Sequence, residues 1–118
     1  MFKLVVNKCY GGFNLSFEAV AYIFDNMSQE EKYEMRKDYK ESPYPGWTVK
    51  DHIAFEMRDL PRHHALLVEA VEKLGEKASG SSSRLEIVEI KGNKYIIDEY
   101  DGLESVSEPS DIRWVTIE

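Results

Sequence analysis

The sequence predicts an α+β domain: a mainly antiparallel sheet, built from an N-terminal strand and a C-terminal β-meander, covered on one face by about three helices. Three observations carry this. A short apolar run, Phe2-Lys3-Leu4-Val5-Val6, opens the chain. Helix-period apolar patterns occupy residues 17–26 and 65–76. Strand-like segments then flank an Asp101-Gly102 turn near the end. The 118 residues read as a single domain, 1–118, a length that buries roughly two thirds of the unfolded surface.

In the first strand Phe2, Leu4 and Val6 share one face and Lys3, Val5 and Asn7 the other. The loop Asn7-Lys8-Cys9-Tyr10-Gly11-Gly12-Phe13-Asn14-Leu15-Ser16 leads into the first helix. There Phe17, Val20, Ala21 and Phe24 recur at i, i+3, i+4 and i+7, Ala19 and Ile23 widen the stripe, and Ser16 is placed to cap it. Ser28 with Glu31 is a capping-box signature for a second, highly charged helix over about 29–41, anchored by Met35 and Tyr39. Glu41-Ser42-Pro43-Tyr44-Pro45-Gly46 ends that helix, since two prolines and a glycine cannot continue it. Residues 47–60 read two ways. Ile53, Phe55 and Met57 alternate as in a strand, whereas Thr48 with Asp51 would cap a short helix carrying Val49, Ile53 and Met57. A short helix or irregular packing is the favoured reading.

Leu67, Val71 and Leu74, supported by Ala70, put a helix over 65–76, and Gly75 stands where it should end. Ala78-Ser79-Gly80-Ser81-Ser82-Ser83 reads as a flexible linker or loop. Strands at 85–90 and 94–100 follow, joined around Gly92-Asn93. Asp101-Gly102 is a two-residue hairpin signal leading into 103–107. That turn sets Tyr100 opposite Leu103, Glu99 opposite Glu104 and Ile97 opposite Val106, with a repulsive like-charged pair among them. Glu108-Pro109-Ser110 closes the meander, and Ile112, Trp114, Val115 and Ile117 are expected to dock a final strand or tail.

Composition narrows the function classes. The chain carries 22 acidic against 15 basic residues, a net charge of −7. Nucleic-acid binding needs many phosphate-neutralising cations, and the one basic bunch (Lys32, Arg36, Lys37, Lys40) is interspersed with Glu30, Glu31, Glu34 and Asp38. Nucleic acid is therefore disfavoured, and a protein partner with a basic face suits the field better. A single cysteine, Cys9, allows no internal disulfide and no cysteine metal framework. The opening segment does not read as a signal peptide, and no run approaches the ~20 apolar residues that span a bilayer. A cytoplasmic protein without membrane attachment is expected.

Three segments together resemble a family of small uncharacterised proteins encoded by bacteriophages, prophages and large DNA viruses. They are Asn7-Lys8-Cys9-Tyr10-Gly11-Gly12-Phe13-Asn14-Leu15-Ser16, the helix segment Arg62-His63-His64-Ala65-Leu66-Leu67-Val68-Glu69-Ala70-Val71-Glu72-Lys73-Leu74-Gly75, and the meander from Leu85-Glu86-Ile87-Val88-Glu89-Ile90 on to Ile97-Asp98-Glu99-Tyr100-Asp101-Gly102-Leu103-Glu104. Relatives have Asp-Pro where this chain has His64-Ala65, so the helix start loses a good cap and a good first residue. The charged stretch 27–44 is a further departure. The resemblance implies a viral or mobile-element origin, with the host cytoplasm as its place of action, and it implies no reaction.

Several constellations bear on chemistry. The glycine loop before a helix start could hold a phosphate: Gly11 and Gly12 allow backbone approach, Ser16 and the amides beyond it donate, Lys8 adds charge, and Tyr10 or Phe13 could stack on a base. The same residues also make an ordinary tight strand-to-helix turn, and the loop lacks the endings of a P-loop or a dinucleotide fingerprint. Arg62 and His64 could read phosphate or carboxylate, or form a surface ion pair and a helix cap. Cys9 with His52, His63 or His64 could form a nucleophile and base, though free cysteines are usually inert packing residues. His52, Glu56, His63 and His64 lack typical zinc spacing. Asp98, Glu99, Asp101 and Glu104 crowd one hairpin tip and could dock a basic partner. Trp47 with Tyr44 is core packing under a loop or an exposed anchor.

The expected function is that of a small non-enzymatic binding protein. It would occupy a host protein, inhibition of a host defence component being the most concrete version, or sequester a nucleotide or other small phosphorylated ligand. Candidate ligand contacts are Lys8, Tyr10, Gly11, Gly12, Phe13, Ser16, Arg62 and His64, and candidate partner contacts are Asp98, Glu99, Asp101 and Glu104. No cofactor, metal site or catalytic set is expected. The alternatives are an enzyme on phosphorylated or nucleotide substrates using Cys9 or His63 and His64, and a structural virion component. Homo-oligomerisation is compatible with the sequence and not demanded by it.

Overall fold

The computed structural model describes residues 2–37, 48–109 and 117. In order these form β1 (Phe2–Asn7), α1 (Phe17–Asn26), α2 (Gln29–Arg36), α3 (Val49–Met57), α4 (Ala65–Leu74), a 3-10 turn (Gly75–Ala78), β2 (Leu85–Ile90), β3 (Ile96–Tyr100) and β4 (Leu103–Ser107). The class is α+β, as the sequence predicts.

Each helix starts where a side chain satisfies its first amides. Ser16 Oγ accepts the Ala19 N–H at 3.1 Å and so caps α1. Ser28 and Glu31 form the reciprocal capping box of α2. Thr48 and Asp51 form another at α3, which decides 47–60 in favour of a helix over 49–57. At α4 the cap is His64, whose Nδ1 accepts the Leu66 N–H at 3.2 Å. Met35 of α2 packs half-buried against the core. Tyr39, Tyr44, Trp47, the 41–46 break and Ile112, Trp114 and Val115 lie outside the described residues.

β1 and β2 pair antiparallel, Phe2 opposite Ile90 through Asn7 opposite Leu85. β3 and β4 pair with Glu99 opposite Glu104 and Tyr100 opposite Leu103, the register the two-residue turn predicts. Asp101 at φ 52° and Gly102 at φ 91° supply the positive dihedrals that turn needs. Among the described residues the strands therefore make two two-stranded sheets and not one. The expected β2–β3 hairpin around Gly92-Asn93 does not form: Lys91, Gly92, Asn93 and Lys94 are all exposed. Along β3 every residue but Ile97 is exposed as well, so this strand has little apolar face to add to the β1–β2 layer.

The core lies between that layer and α1, α3 and α4. Ile23, Met57, Leu67 and Val5 are fully buried there, with Ile53, Val71 and Leu85 around them. Residues 78–83 form a loop, as expected, but a pinned one. Ala78 is fully buried, Ser79 bridges to Leu15, and the Ser83 hydroxyl donates to Asn14 O. No helix among the described residues is long and apolar enough to cross a membrane.

A cleft between the glycine loop, α3 and the acidic hairpin

The site begins with Asn7, fully buried at the end of β1. Its backbone N–H donates to Glu104 Oε1 at 2.8 Å. Its side-chain amide donates to Cys9 O at 2.8 Å and to Gly102 O at 2.7 Å, while Oδ1 accepts the Arg84 N–H at 2.8 Å. One side chain thus joins the loop after β1, the approach to β2 and the β3–β4 turn. All of its polar atoms are used, as burial demands.

The glycines then allow three backbone segments to meet. Gly11 and Gly12 hold φ of 142° and 141°, a region that side chains rarely adopt. Gly11 N–H donates to Asp101 O at 3.1 Å. A Cβ on Gly102 would lie 2.5 Å from Gly12 N and 2.6 Å from Gly11 atoms, and one on Gly11 would collide with the Ser82 carbonyl. A Cβ on Gly12 would meet nothing within 4 Å, so that peptide faces open space. Two of the glycines accordingly serve close packing of loop on turn, and one leaves bare backbone at a surface.

Arg62 ties the assembly to the opposite wall. Its guanidinium holds Glu104 with two hydrogen bonds, Nη1 to Oε1 and Nη2 to Oε2 at 2.8 Å, and stacks 3.6 Å from the Phe13 ring centroid. The side chains are 19% and 6% exposed, so this is a largely desolvated bidentate pair. Lys8 Nζ donates to the backbone carbonyl of the same Glu104 at 3.2 Å. The like-charged Glu99–Glu104 pairing is relieved by these bonds and by Gly102 N–H, which donates to Glu99 Oε1 at 2.8 Å.

Together these residues wall a cleft of about 540 Å³, lined by Gly11, Gly12, Phe13, Arg62, Glu99, Gly102 and Glu104, and on the far side by Phe55, Arg58 and Asp59 at the end of α3. The volume is that of a small-ligand or side-chain cleft. Arg58 lies over the Phe55 ring at 5.9 Å. The expected residues divide accordingly. Gly11, Gly12, Phe13 and Arg62 meet here with Glu99 and Glu104. Ser16 is engaged at the start of α1, where its hydroxyl donates to Lys77 O and its N–H to Ala78 O. His64 is the α4 cap. Tyr10, Asp98 and Asp101 are exposed around the hairpin turn.

The other constellations are scattered. Cys9 Sγ is half-buried and donates towards Asn7 Oδ1 at 3.4 Å and Ser82 O at 3.5 Å. His63 Nδ1 pairs with the Tyr95 hydroxyl at 2.8 Å, and His52 is buried 3.9 Å from Glu56. Among the described residues no three potential metal ligands come together. The Tyr22 hydroxyl, held by Glu69 at 2.6 Å, titrates above its ordinary range because that bond favours the protonated form. Lys3 is likewise raised by its hydrogen bond to Glu72.

Sequence reasoning misses Asn7, Phe55, Arg58 and Asp59. Phe55 and Arg58 were open to discovery through one signal: they stand at i, i+3 at a helix end, where aromatic and cation share a face. Asn7 offered none, because its partners other than Cys9 are distant in sequence. Comparison of the chain with protein-family models, with curated proteins and with solved structures found no match.

Proposed function

We propose that this protein is a binding protein that engages a basic face of a protein partner through the β3–β4 turn and the adjoining glycine loop. One observation carries the choice over a phosphate site. Arg62, the buried cation a phosphate at the glycine loop would need, is held by the Glu104 carboxylate, and Lys8 donates to the backbone carbonyl of the same residue. An incoming anion would have to displace a bidentate carboxylate from a largely buried arginine, which is costly. The acidic side chains Asp98, Glu99 and Asp101 remain exposed. Tyr100 at the end of β3 and Tyr10 in the glycine loop are 77% and 64% exposed. Exposed tyrosines set among charges are the composition of a recognition patch: the ring supplies contact area, the charges steer encounter. The net charge of −7 acts in the same sense. A viral origin and a host defence component as the partner belong to this proposal and rest on the family resemblance of the sequence.

Native mass spectrometry of the protein purified from cells that express it tests the reading. The expected result is a complex with a protein partner that the double change Asp98→Lys/Asp101→Lys dissociates. A stoichiometric nucleotide retained on an otherwise bare chain would overturn it in favour of sequestration at the glycine loop.

A further inference from the structure

The cleft continues past the residues that a turn-mediated contact would use. A second hollow of about 240 Å³, lined by Asn14, Leu15, Phe17, Asp51, Ala54, Phe55 and Arg58, shares Phe55 and Arg58 with the first. The two adjoin at Phe55 and Arg58, so that one arm of the groove reaches the acidic hairpin and the other the start of α1. Its ends differ. At the hairpin end the Arg62–Glu104 pair is self-neutralising, which leaves Asp59 and Glu99 against the single charge of Arg58. At the α1 end Leu15, Phe17 and Ala54 are apolar, and Phe17 is half exposed.

We propose that this groove takes an extended segment of the protein partner, with a basic side chain between Asp59 and Glu99 and an apolar one on Leu15, Phe17 and Ala54. The proposal rests on the partner-binding reading above and names what that partner would present. Charge complementarity selects the occupant. The free charge at the polar end is net negative, which suits lysine or arginine and repels a phosphate. Arg58 between the two ends has donors for a backbone carbonyl of the segment. Gly12 presents bare peptide to the same groove, so a chain can approach its backbone closely. One wall is ordered in advance, since Arg62 stacks on Phe13 and is held by Glu104, which lowers the entropy lost on binding.

The test is selection of a random heptapeptide library, displayed on phage, against the full chain, followed by titration of the selected synthetic peptides into ¹⁵N-labelled protein. The expected consensus pairs an apolar residue with Lys or Arg, and binding moves the amides of Gly12, Ala54, Phe55 and Arg58. Asp59→Lys and Phe17→Ser should each weaken that binding about tenfold or more, with the β1–β2 amide spectrum retained as proof of folding. No enrichment, an acidic consensus, or peptides unaffected by Asp59→Lys would overturn the groove. Shifts confined to Tyr10 and Tyr100 would overturn it while leaving the hairpin surface standing. Peptides seated in the groove, together with a partner complex that survives Asp98→Lys/Asp101→Lys, would instead retain the groove and remove the hairpin.

Discussion

Glu99 and Glu104 face each other across β3 and β4 yet live in different surroundings. Glu104 is 6% exposed and receives Arg62 and the Asn7 N–H. Glu99 is exposed and receives the Gly102 N–H. Removing a charge from a desolvated bidentate pair leaves its partner uncompensated, at a cost of about 3 kcal/mol, whereas an exposed carboxylate contributes little. Glu104→Gln should therefore weaken the docking of the hairpin and speed amide exchange in β3 and β4 by roughly a hundredfold, the ratio that energy corresponds to. Glu99→Gln should leave those rates nearly unchanged. Equal effects from the two changes would mean that the pair with Arg62 does not hold the hairpin.

Among the elements, α4 starts with an imidazole in place of a shorter cap. His64 has φ −57° and ψ 130°, the extended conformation that a residue before proline adopts. Ala65 is the first helical residue, where a missing N–H costs nothing. Ala65→Pro should thus raise stability by about 0.5–1 kcal/mol, through the unfolded chain, and shift the urea midpoint upward. A lower midpoint would show that the start of α4 is constrained by more than its cap. In α2, the Ser28 N–H donates to Glu31 at 3.1 Å and holds that carboxyl below its usual range. A folded-state value lowered in this way adds stability above the ordinary glutamate range, which is lost as pH falls through the lowered value. The Ser28 amide resonance should accordingly titrate with a midpoint below that of a free glutamate, and an ordinary midpoint would remove the box from the acid response. Such local features were legible because their partners are near in sequence: Ser28 with Glu31, Thr48 with Asp51, and the Asp101-Gly102 turn with its register. The cleft was only half legible. Gly11, Gly12 and Phe13 announce a close approach, but Arg62 meets Glu104 across 42 positions and Asn7 meets Gly102 across 95, and no local pattern encodes such pairings. The single sheet failed for a related reason. Alternation identified β3 as a strand, while its partner depended on how little of it could be buried.

At the scale of the whole molecule the hairpin is joined to the rest by polar bonds. The buried core draws on α1, α3, α4, β1 and β2 and on no residue of β3 or β4. What holds the hairpin is Glu104 with Arg62, Asn7 and Lys8, Gly102 O with the Asn7 amide, Asp101 O with the Gly11 N–H, and Glu108 with the Lys91 N–H at 2.6 Å. Net hydrogen bonds contribute about 1 kcal/mol each, and water replaces them readily once the hairpin lifts. Little apolar surface is uncovered in that opening. Since denaturant sensitivity scales with surface exposed, the two sheets should separate in native-state hydrogen exchange under rising urea. The β3–β4 amides should exchange through an opening that costs less than global unfolding and depends weakly on urea. The β1–β2 amides should exchange only with the steep urea dependence of the whole fold. A common free energy and a common slope for both sheets would mean that the molecule is one cooperative unit. In that case the acidic turn would be as rigid as the core, and partner binding would draw no ordering cost from the hairpin.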